Sequence, residues 1–175
     1  EHPCQVLADF LTIKEEFEDL KGVELAFIGD GNNVANSLIL CGALLGVNIR
    51  IACPKGFEPN STIINKANAI NQEFLTITNN PIEAVKGANV IYTDVWSSMG
   101  EEDVKGIKEK KFNGFTVDSN IINYSNDDVI VLHCLPAYRS KEITDEVFES
   151  KNNRIFQQAE NRLHAQQALM ACLLQ

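Results

Sequence analysis

The sequence predicts an α/β fold, with helices covering both faces of a doubly wound parallel sheet. Short apolar runs rich in branched residues recur along the chain, and stretches with helical spacing lie between them. The runs occupy residues 23–29, 48–54, 74–78, 90–95, 115–118 and 129–134. Because an alternation of strands and helices is typical of parallel strands joined by crossover helices, we expect one Rossmann-like domain over residues 1–175.

The helices are predicted from the spacing of apolar residues. Residues 33–46 carry them at steps of four, three and four, and Gly46 follows where a helix would end. Shorter helices are predicted at 61–72, 81–87 and 100–111, and amphipathic helices at 2–17 and 159–174. The last helix is apolar around much of its circumference, so we expect it to contact a part of the protein outside this domain.

Composition excludes several classes of partner. The net charge is −9 and the sequence pI about 4.8, which disfavours nucleic acid and anionic membrane surfaces. No apolar run approaches the roughly 18 residues that a membrane helix needs. The five cysteines are odd in number and form no C-x-x-C pair, which indicates reduced thiols in a cytoplasmic protein. We therefore expect small-molecule ligands.

The first run ends in a Gly-Asp-Gly-Asn-Asn turn at residues 29–33, which opens the helix at 33–46. Backbone N–H groups and the helix dipole favour an anion at such a turn. Val34 replaces the third glycine of a dinucleotide motif, and no acidic residue ends the second run, so NAD and FAD are disfavoured. The side-chain amides of Asn32 and Asn33 suit a small carboxylate, although both residues could also serve only as helix caps.

Two further runs end in reactive side chains. Asp94 ends the fourth run, where it could hold a ligand ammonium with help from Ser98, or could simply cap the helix at 100–111. His133 and Cys134 end the last run, immediately before a Leu-Pro turn. Ligands bind at the carboxyl ends of parallel strands, but histidine and cysteine also serve as ordinary core residues.

Five motifs in this order resemble the carboxy-terminal half of the ornithine carbamoyltransferase family. They are His2-Pro3-Cys4-Gln5, Gly29 to Asn33, Asp94-Val95-Trp96 with Ser98-Met99-Gly100, His133-Cys134-Leu135-Pro136-Ala137, and Gln158-Ala159-Glu160-Asn161-Arg162-Leu163. They span nearly the whole chain, and the five together are far more specific than any one of them.

The resemblance implies transfer of a carbamoyl group from carbamoyl phosphate to the δ-amine of L-ornithine, with no cofactor and no metal. It assigns the carbamoyl phosphate contacts to His2, Gln5, Cys134, Leu135 and Arg162. It assigns the ornithine contacts to Asn33, Asp94, Ser98 and Met99. Asp94 and Cys134 are the expected catalytic residues, which position and deprotonate the amine. The thiol is expected to orient or polarise, and not to attack.

The resemblance also implies an amino-terminal carbamoyl phosphate domain with a Ser-x-Arg-Thr-Arg loop, a motif that residues 1–175 do not contain. Helices 2–17 and 159–174 would connect to that domain. We expect these residues to form a monomer that binds ornithine weakly and is inactive alone, within a parent enzyme that is a trimer or a multiple of trimers. The alternatives are a carbamoyltransferase for another amine, a non-catalytic small-molecule binding domain, and half of a dinucleotide-dependent dehydrogenase.

Overall fold

The structure, a computed structural model, describes residues 1–97 and 105–175, with the backbone alone at 105 and 107. Five parallel strands form one sheet in the order β3-β2-β1-β4-β5. The strands are β1 (Glu24–Ile28), β2 (Asn48–Ala52), β3 (Leu75–Thr78), β4 (Val90–Thr93) and β5 (Ile130–His133). The predicted α/β fold is confirmed, and five of the six apolar runs are strands.

Helices flank the sheet. They are α1 (Pro3–Phe17), α2 (Asn33–Leu45), α3 (Ser61–Ile70), α4 (Pro81–Val85), α5 (Lys105–Lys111), α6 (Ser119–Ile122), α7 (Asp145–Phe148) and α8 (Ile155–Leu173). Those between successive strands, α2 to α6, form the crossovers. Gly46 ends α2 in the left-handed conformation, with φ 73°, as predicted from its position. Part of the helix predicted at 100–111 lies outside the described residues.

The core has two parts, one on each face of the sheet. Alternate strand residues such as Phe27 and Leu132 pack with α1, α2 and α3. Their neighbours, such as Ile28 and Val131, pack with α4, α6 and α7. Because successive side chains of a strand point to opposite faces, strands buried on both faces must be apolar throughout. The continuous apolar runs in the sequence reflect this burial.

The prediction of a strand at 115–118 was wrong. Phe115 and Val117 are buried, but Val117 forms only an isolated bridge to Ile143. Asp118 then accepts a hydrogen bond from the Ile121 N–H and caps α6, so the chain turns into a helix there. The apolar character of this run reflects burial against the sheet and not membership of it.

The two terminal helices, α1 and α8, form an antiparallel pair on one face of the sheet, because Gln5 contacts Arg162 whereas Glu16 contacts Arg154. Helix α8 begins at Ile155, four residues before the predicted start, where the Asn153 side chain accepts from the Ile155 N–H. Its carboxyl half leaves large apolar side chains exposed: Leu163, Met170 and Leu173. Within the described residues, no helix has both the length and the apolar character needed to cross a membrane.

Candidate active site

The carboxyl ends of β1, β4 and β5 lie side by side at one edge of the sheet. Ile28 pairs with Thr93, and Thr93 pairs with His133, so the residues that follow these three strands meet at that edge. From β1 the chain continues to β2 and β3 on one side of the sheet, and then to β4 and β5 on the other side. Such a topological switch point creates a crevice, which is where ligands bind in open parallel sheets.

Three side chains at this edge form what we call the sheet-edge cluster: Asn32, Asp94 and Cys134. Asn32 Nδ2 donates to Asp94 Oδ2 at 2.7 Å, and Cys134 Sγ donates to Asp94 Oδ1 at 2.9 Å. The Val95 N–H also donates to Oδ1, at 2.7 Å. Asp94 is only 6% exposed. Three donors therefore hold one buried carboxylate in a fixed orientation at the switch point.

The two asparagines at the start of α2 have different roles. Asn32 Oδ1 accepts from the Val34 and Ala35 N–H groups, so it caps the helix and occupies two of the backbone donors that could otherwise bind an anion. Asn33 is the first residue of α2, and it is exposed to solvent. A Cβ on Gly31 would lie 2.3 Å from Pro59 N, so this turn needs glycine for close packing.

Cys134 carries a thiol and not a thiolate. Burial, followed by the neighbouring negative charge of Asp94, raises the pKa of this thiol far above its ordinary value. A protonated Cys134 is a hydrogen-bond donor to Asp94 and a poor nucleophile. The role of this thiol in a reaction stays a prediction.

His133 supports the turn that follows β5. The Leu135 N–H donates to His133 Nδ1 at 2.8 Å, so Nδ1 must be unprotonated. The ring proton is therefore on Nε2, which lies 3.2 Å from Glu142 Oε1, and both residues are almost fully buried. Glu142 also accepts from the Tyr138 N–H. His133 is thus a hydrogen-bonded core residue that shapes the backbone at Leu135, where φ is 57°.

Asp94, His133 and Cys134 place potential metal ligands within 4.8 Å of one another. Both ring nitrogens of His133 already have partners, and the Cys134 thiol donates to Asp94. A cation would have to break these hydrogen bonds and remove a thiol proton that burial and the charge of Asp94 both retain. We therefore assign the three residues to a hydrogen-bond network.

A second polar group, the helix-pair cluster, consists of Gln5, Asp9, Gln158 and Arg162. Arg162 Nη1 donates to Gln5 Oε1 at 2.6 Å. Asp9 Oδ1 accepts from Gln5 Nε2 at 2.7 Å and from Gln158 Nε2 at 2.6 Å. The Gln158 amide continues to the sheet, because its Oε1 accepts from the backbone N–H of His133 at 2.9 Å.

Asp9 and Arg162 each have a buried atom, Oδ2 and Nε, that pairs with none of the described residues. Asp9 is fully buried, and desolvation raises the pKa of its carboxyl to about 7, against the opposing effect of the amide hydrogen bonds. The unpaired Nε of Arg162 points to an anionic ligand, since a guanidinium fork binds carboxylate or phosphate oxygens in pairs.

His2 lies between the two clusters. Its backbone N–H donates to Ser37 Oγ in the first turn of α2, at 2.8 Å. Partial burial and the charge of Arg162 lower the pKa of its imidazole, whereas the charge of Asp94 opposes that change. The hydrogen bond to Ser37 attaches the start of the chain to the first turn of α2.

The structure brings Asp94, Cys134 and Leu135 together at one wall, with His2, Gln5 and Arg162 beside them. Gln5 is only 2% exposed, and its amide is already bonded on both sides. Ser98 and Met99, the other expected ornithine contacts, lie outside the described residues. We did not predict roles for Asp9 and Gln158 from the sequence. Each lies four residues from a predicted contact on its own helix, and that spacing is the signal which could have revealed them.

The chain was compared with known families. Residues 21–173 match the family described as aspartate/ornithine carbamoyltransferase, Asp/Orn binding domain. The chain belongs to the aspartate/ornithine carbamoyltransferase family. A relative named ornithine carbamoyltransferase from Prochlorococcus marinus subsp. pastoris (strain MED4) is 72% identical over 99% of this chain and 57% of its own length. This chain therefore spans little more than half the length of the curated relatives that it matches.

Solved structures of this carbamoyltransferase family are also similar. The ornithine carbamoyltransferase from Pyrococcus furiosus has a TM-score of 0.93 at 44% identity, covering 98% of this chain and 56% of that one. An N-acetyl-L-ornithine transcarbamylase, a K302E mutant complexed with PALAO, has a TM-score of 0.86 at 30% identity. The match covers 99% of this chain and 56% of that one. Both share the fold, and the identity is higher with the ornithine carbamoyltransferase.

Proposed function

We propose that this chain is the ornithine-binding domain of an ornithine carbamoyltransferase, which makes L-citrulline and phosphate from carbamoyl phosphate and L-ornithine. The observation that carries the proposal is the orientation of Asp94 at the switch point, fixed by Asn32, Val95 and Cys134. A buried carboxylate held in this way suits the δ-ammonium of ornithine. Asn33, exposed at the start of α2, suits the α-carboxylate. Ser98 and Met99 complete the proposed ornithine contacts.

The reaction needs a neutral amine. An alkylammonium with a pKa near 10.4 must lose its proton before attack, which at pH 7.5 costs about 4 kcal/mol. In the proposed step, the δ-amine forms a C–N bond with the carbamoyl carbon while the C–O bond to phosphate breaks, and the phosphate leaves. Asp94 holds the amine and draws its proton, and the Cys134 thiol orients that carboxylate. Asp94 and Cys134 are the proposed catalytic residues.

The proposed phosphate contacts come from Arg162, which is positively charged, and from the imidazole of His2. Arg162 and His2 suit the phosphate oxygens, and the unpaired Nε of Arg162 supports this assignment. Gln5, Cys134 and Leu135 complete the proposed carbamoyl phosphate contacts. Leu135 has a left-handed backbone conformation shortly after β5, with φ 57°. No cofactor takes part in the proposed reaction.

We also propose that α1 and α8 join this domain to an amino-terminal carbamoyl phosphate domain, which would cover Leu163, Met170 and Leu173. The relatives are long enough to contain such a domain, since this chain covers 57% of the first relative named above. The parent enzyme would then be a trimer or a multiple of trimers, and residues 1–175 alone a monomer. The five free cysteines support a reducing, cytoplasmic location.

The test is a chimera in which residues 1–175 replace the matching part of the Prochlorococcus marinus MED4 relative. We expect the purified chimera to form citrulline from carbamoyl phosphate and L-ornithine, and residues 1–175 alone to form none. A chimera that folds and oligomerises but makes no citrulline would count against the proposal. The native relative, assayed in parallel, controls for the conditions.

The alternatives differ in what the chain binds. Replacing L-ornithine in the same assay by N-acetyl-L-ornithine, putrescine or L-aspartate tests for another acceptor, and L-ornithine should give the highest kcat/KM. Titration calorimetry of residues 1–175 with L-ornithine and with NAD tests for a dehydrogenase half. Weak binding of ornithine and none of NAD is expected, and the reverse result would favour the dehydrogenase.

A further inference from the structure

Asp9 lies at the junction of α1, α8 and the sheet, although no step of the proposed reaction uses it. Its Oδ1 accepts hydrogen bonds from Gln5 Nε2 and Gln158 Nε2. Gln158 Nε2 also lies 3.1 Å from the hydroxyl oxygen of Tyr92 on β4, to which it donates. Asp9 is 0% exposed, so no ligand can bind it directly. A fully buried carboxylate is costly unless its interactions offset the desolvation.

The far end of each glutamine fixes the orientation of its amide. Arg162 can only donate, so Gln5 must present its oxygen to Arg162 and its NH₂ group to Asp9. The backbone N–H of His133 can only donate, so Gln158 must likewise turn its NH₂ group toward Asp9. Both amides therefore need an acceptor at position 9. A carboxylate oxygen supplies it for both at once.

We propose that Asp9 is a positioning residue that orients the two glutamine amides, and through them the guanidinium of Arg162 and the backbone at the end of β5. One arm runs from Asp9 through Gln5 to Arg162, and the other through Gln158 to the N–H of His133, next to Cys134. Its kinetic consequence, weaker use of carbamoyl phosphate, rests on the proposed function. The structural relay does not.

The variant that tests the relay is Asp9→Leu, which has a similar size but no hydrogen-bond acceptor. Asp9→Asn would not serve, because its amide oxygen could take the place of Oδ1 and still accept from both glutamines. In Asp9→Leu neither glutamine amide has an acceptor at position 9, so both lose the contact that fixes their orientation. The matched control is Thr12→Val, because Thr12 Oγ1 accepts from Asn161 Nδ2 at 2.9 Å. This second buried bond also joins α1 to α8, but it leads to neither arm.

Two readouts separate the relay from the reaction. In residues 1–175, ¹⁵N NMR should show that Asp9→Leu moves the Arg162 Nε–H and His133 amide signals, whereas Thr12→Val leaves both in place. In the chimera, Asp9→Leu should raise KM for carbamoyl phosphate about tenfold, the factor expected when one hydrogen bond to a charged group is lost. KM for ornithine should stay within about twofold, and Thr12→Val should leave both KM values within about twofold.

The proposal fails if Asp9→Leu leaves both NMR signals unmoved, or if Thr12→Val moves them equally. Should Asp9→Leu not fold, Gln158→Leu tests one arm alone: it should shift the His133 amide signal and leave that of Arg162 unchanged, and a shift of neither or of both would overturn the relay. If the signals move as expected but the parent chimera makes no citrulline, the proposed function fails and the relay stands.

Discussion

The sheet-edge cluster and the helix-pair cluster each contain one buried aspartate, and the two aspartates are held differently. Asp94 uses both oxygens, with three donors arranged around them. Asp9 uses one oxygen for two amides, and its other oxygen pairs with none of the described residues. Asp94 keeps 6% of its surface exposed, whereas Asp9 keeps none.

This difference separates a group that can meet a substrate from one that can act only through its neighbours. The donors around Asp94 come from backbone and side chains at the ends of strands, which are rigid and fix its direction. The donors around Asp9 are two long amides whose other ends reach Arg162 and His133. A change at Asp9 is therefore expected to appear first in stability, and one at Asp94 first in catalysis.

The largest expected effect is the contribution of Asp9 to the pH dependence of the free energy of unfolding. Burial raises the pKa of its carboxyl from 3.8 to about 7 in the folded protein. Between these values the folded state binds the proton and the unfolded state does not, so this group makes the free energy of unfolding fall as pH rises. At about 1.36 kcal/mol per pKa unit, the loss is about 4 kcal/mol, complete once pH passes about 7.

Urea unfolding of residues 1–175 at several pH values between about 4 and 8 measures this loss. Other carboxylates also titrate, so the informative quantity is the difference between the wild-type chain and Asp9→Asn. That difference should change steadily across this window, because the free energy of unfolding of Asp9→Asn should rise relative to that of the wild-type chain as pH rises. A difference that stays constant with pH would mean that Asp9 titrates alike in the folded and unfolded chains.

The next expected effect is catalytic, at Asp94. Asp94→Asn keeps the size of the side chain but removes the charge that holds the ornithine ammonium, and turns one acceptor into a donor that faces Asn32 or Cys134. We expect kcat/KM for ornithine in the chimera to fall about 100-fold, since hydrogen bonds to charged groups contribute roughly 1.5–3 kcal/mol. KM for carbamoyl phosphate should change much less.

Asp118→Asn provides the matched control, because Asp118 caps α6 and asparagine is an equally good helix cap. It should leave the kinetics of the chimera unchanged. Similar losses in the two variants would show that the assay reports general damage and not a role for Asp94.

The central strands were predictable because β1, β4 and β5 are buried on both faces. Leu25 and Phe27 face one part of the core, and Ala26 and Ile28 face the other. Because all four residues are buried, the strand is a continuous apolar run that can be recognised in the sequence. The same signal misled at Val117, which is equally buried but pairs with Ile143 outside the sheet. An apolar run therefore indicates that a segment is buried, but the segment is a strand only if its backbone forms hydrogen bonds with neighbouring strands.

The site was predictable where a residue follows a strand, and less so where it depends on a distant partner. Asp94 and Cys134 were predicted because the carboxyl ends of parallel strands meet at one edge. The packing of α1 against α8 brings Asp9 to Gln158 from 149 residues away along the chain, and no local pattern specifies that pairing. The sequence predicted that Asn32 could cap α2 or present its side-chain amide to a ligand. Its hydrogen bond to Asp94 could be seen only in the folded structure, because the two residues lie 62 positions apart along the chain.

The smallest expected effect is at Cys134, and it distinguishes an orienting thiol from a nucleophile. Cys134→Ala removes one of three donors to Asp94 and leaves Asn32 and Val95 in place. We expect kcat of the chimera to fall about tenfold, because the carboxylate loses part of its orientation and no covalent step is lost. A nucleophile would cost several orders of magnitude more. Unchanged kcat and ornithine KM would remove the proposed role altogether.

The charge state of this thiol can be checked without the reaction. Burial and Asp94 together raise the pKa of Cys134, so it should react slowly with iodoacetamide at pH 8, where exposed thiols react readily. Cys172 is exposed on α8 and serves as the internal control in residues 1–175. In Asp94→Asn the neighbouring charge is gone but the burial remains, so labelling of Cys134 should accelerate only in part. Labelling as fast as Cys172 in the wild-type chain would mean that Cys134 is neither enclosed nor held by Asp94.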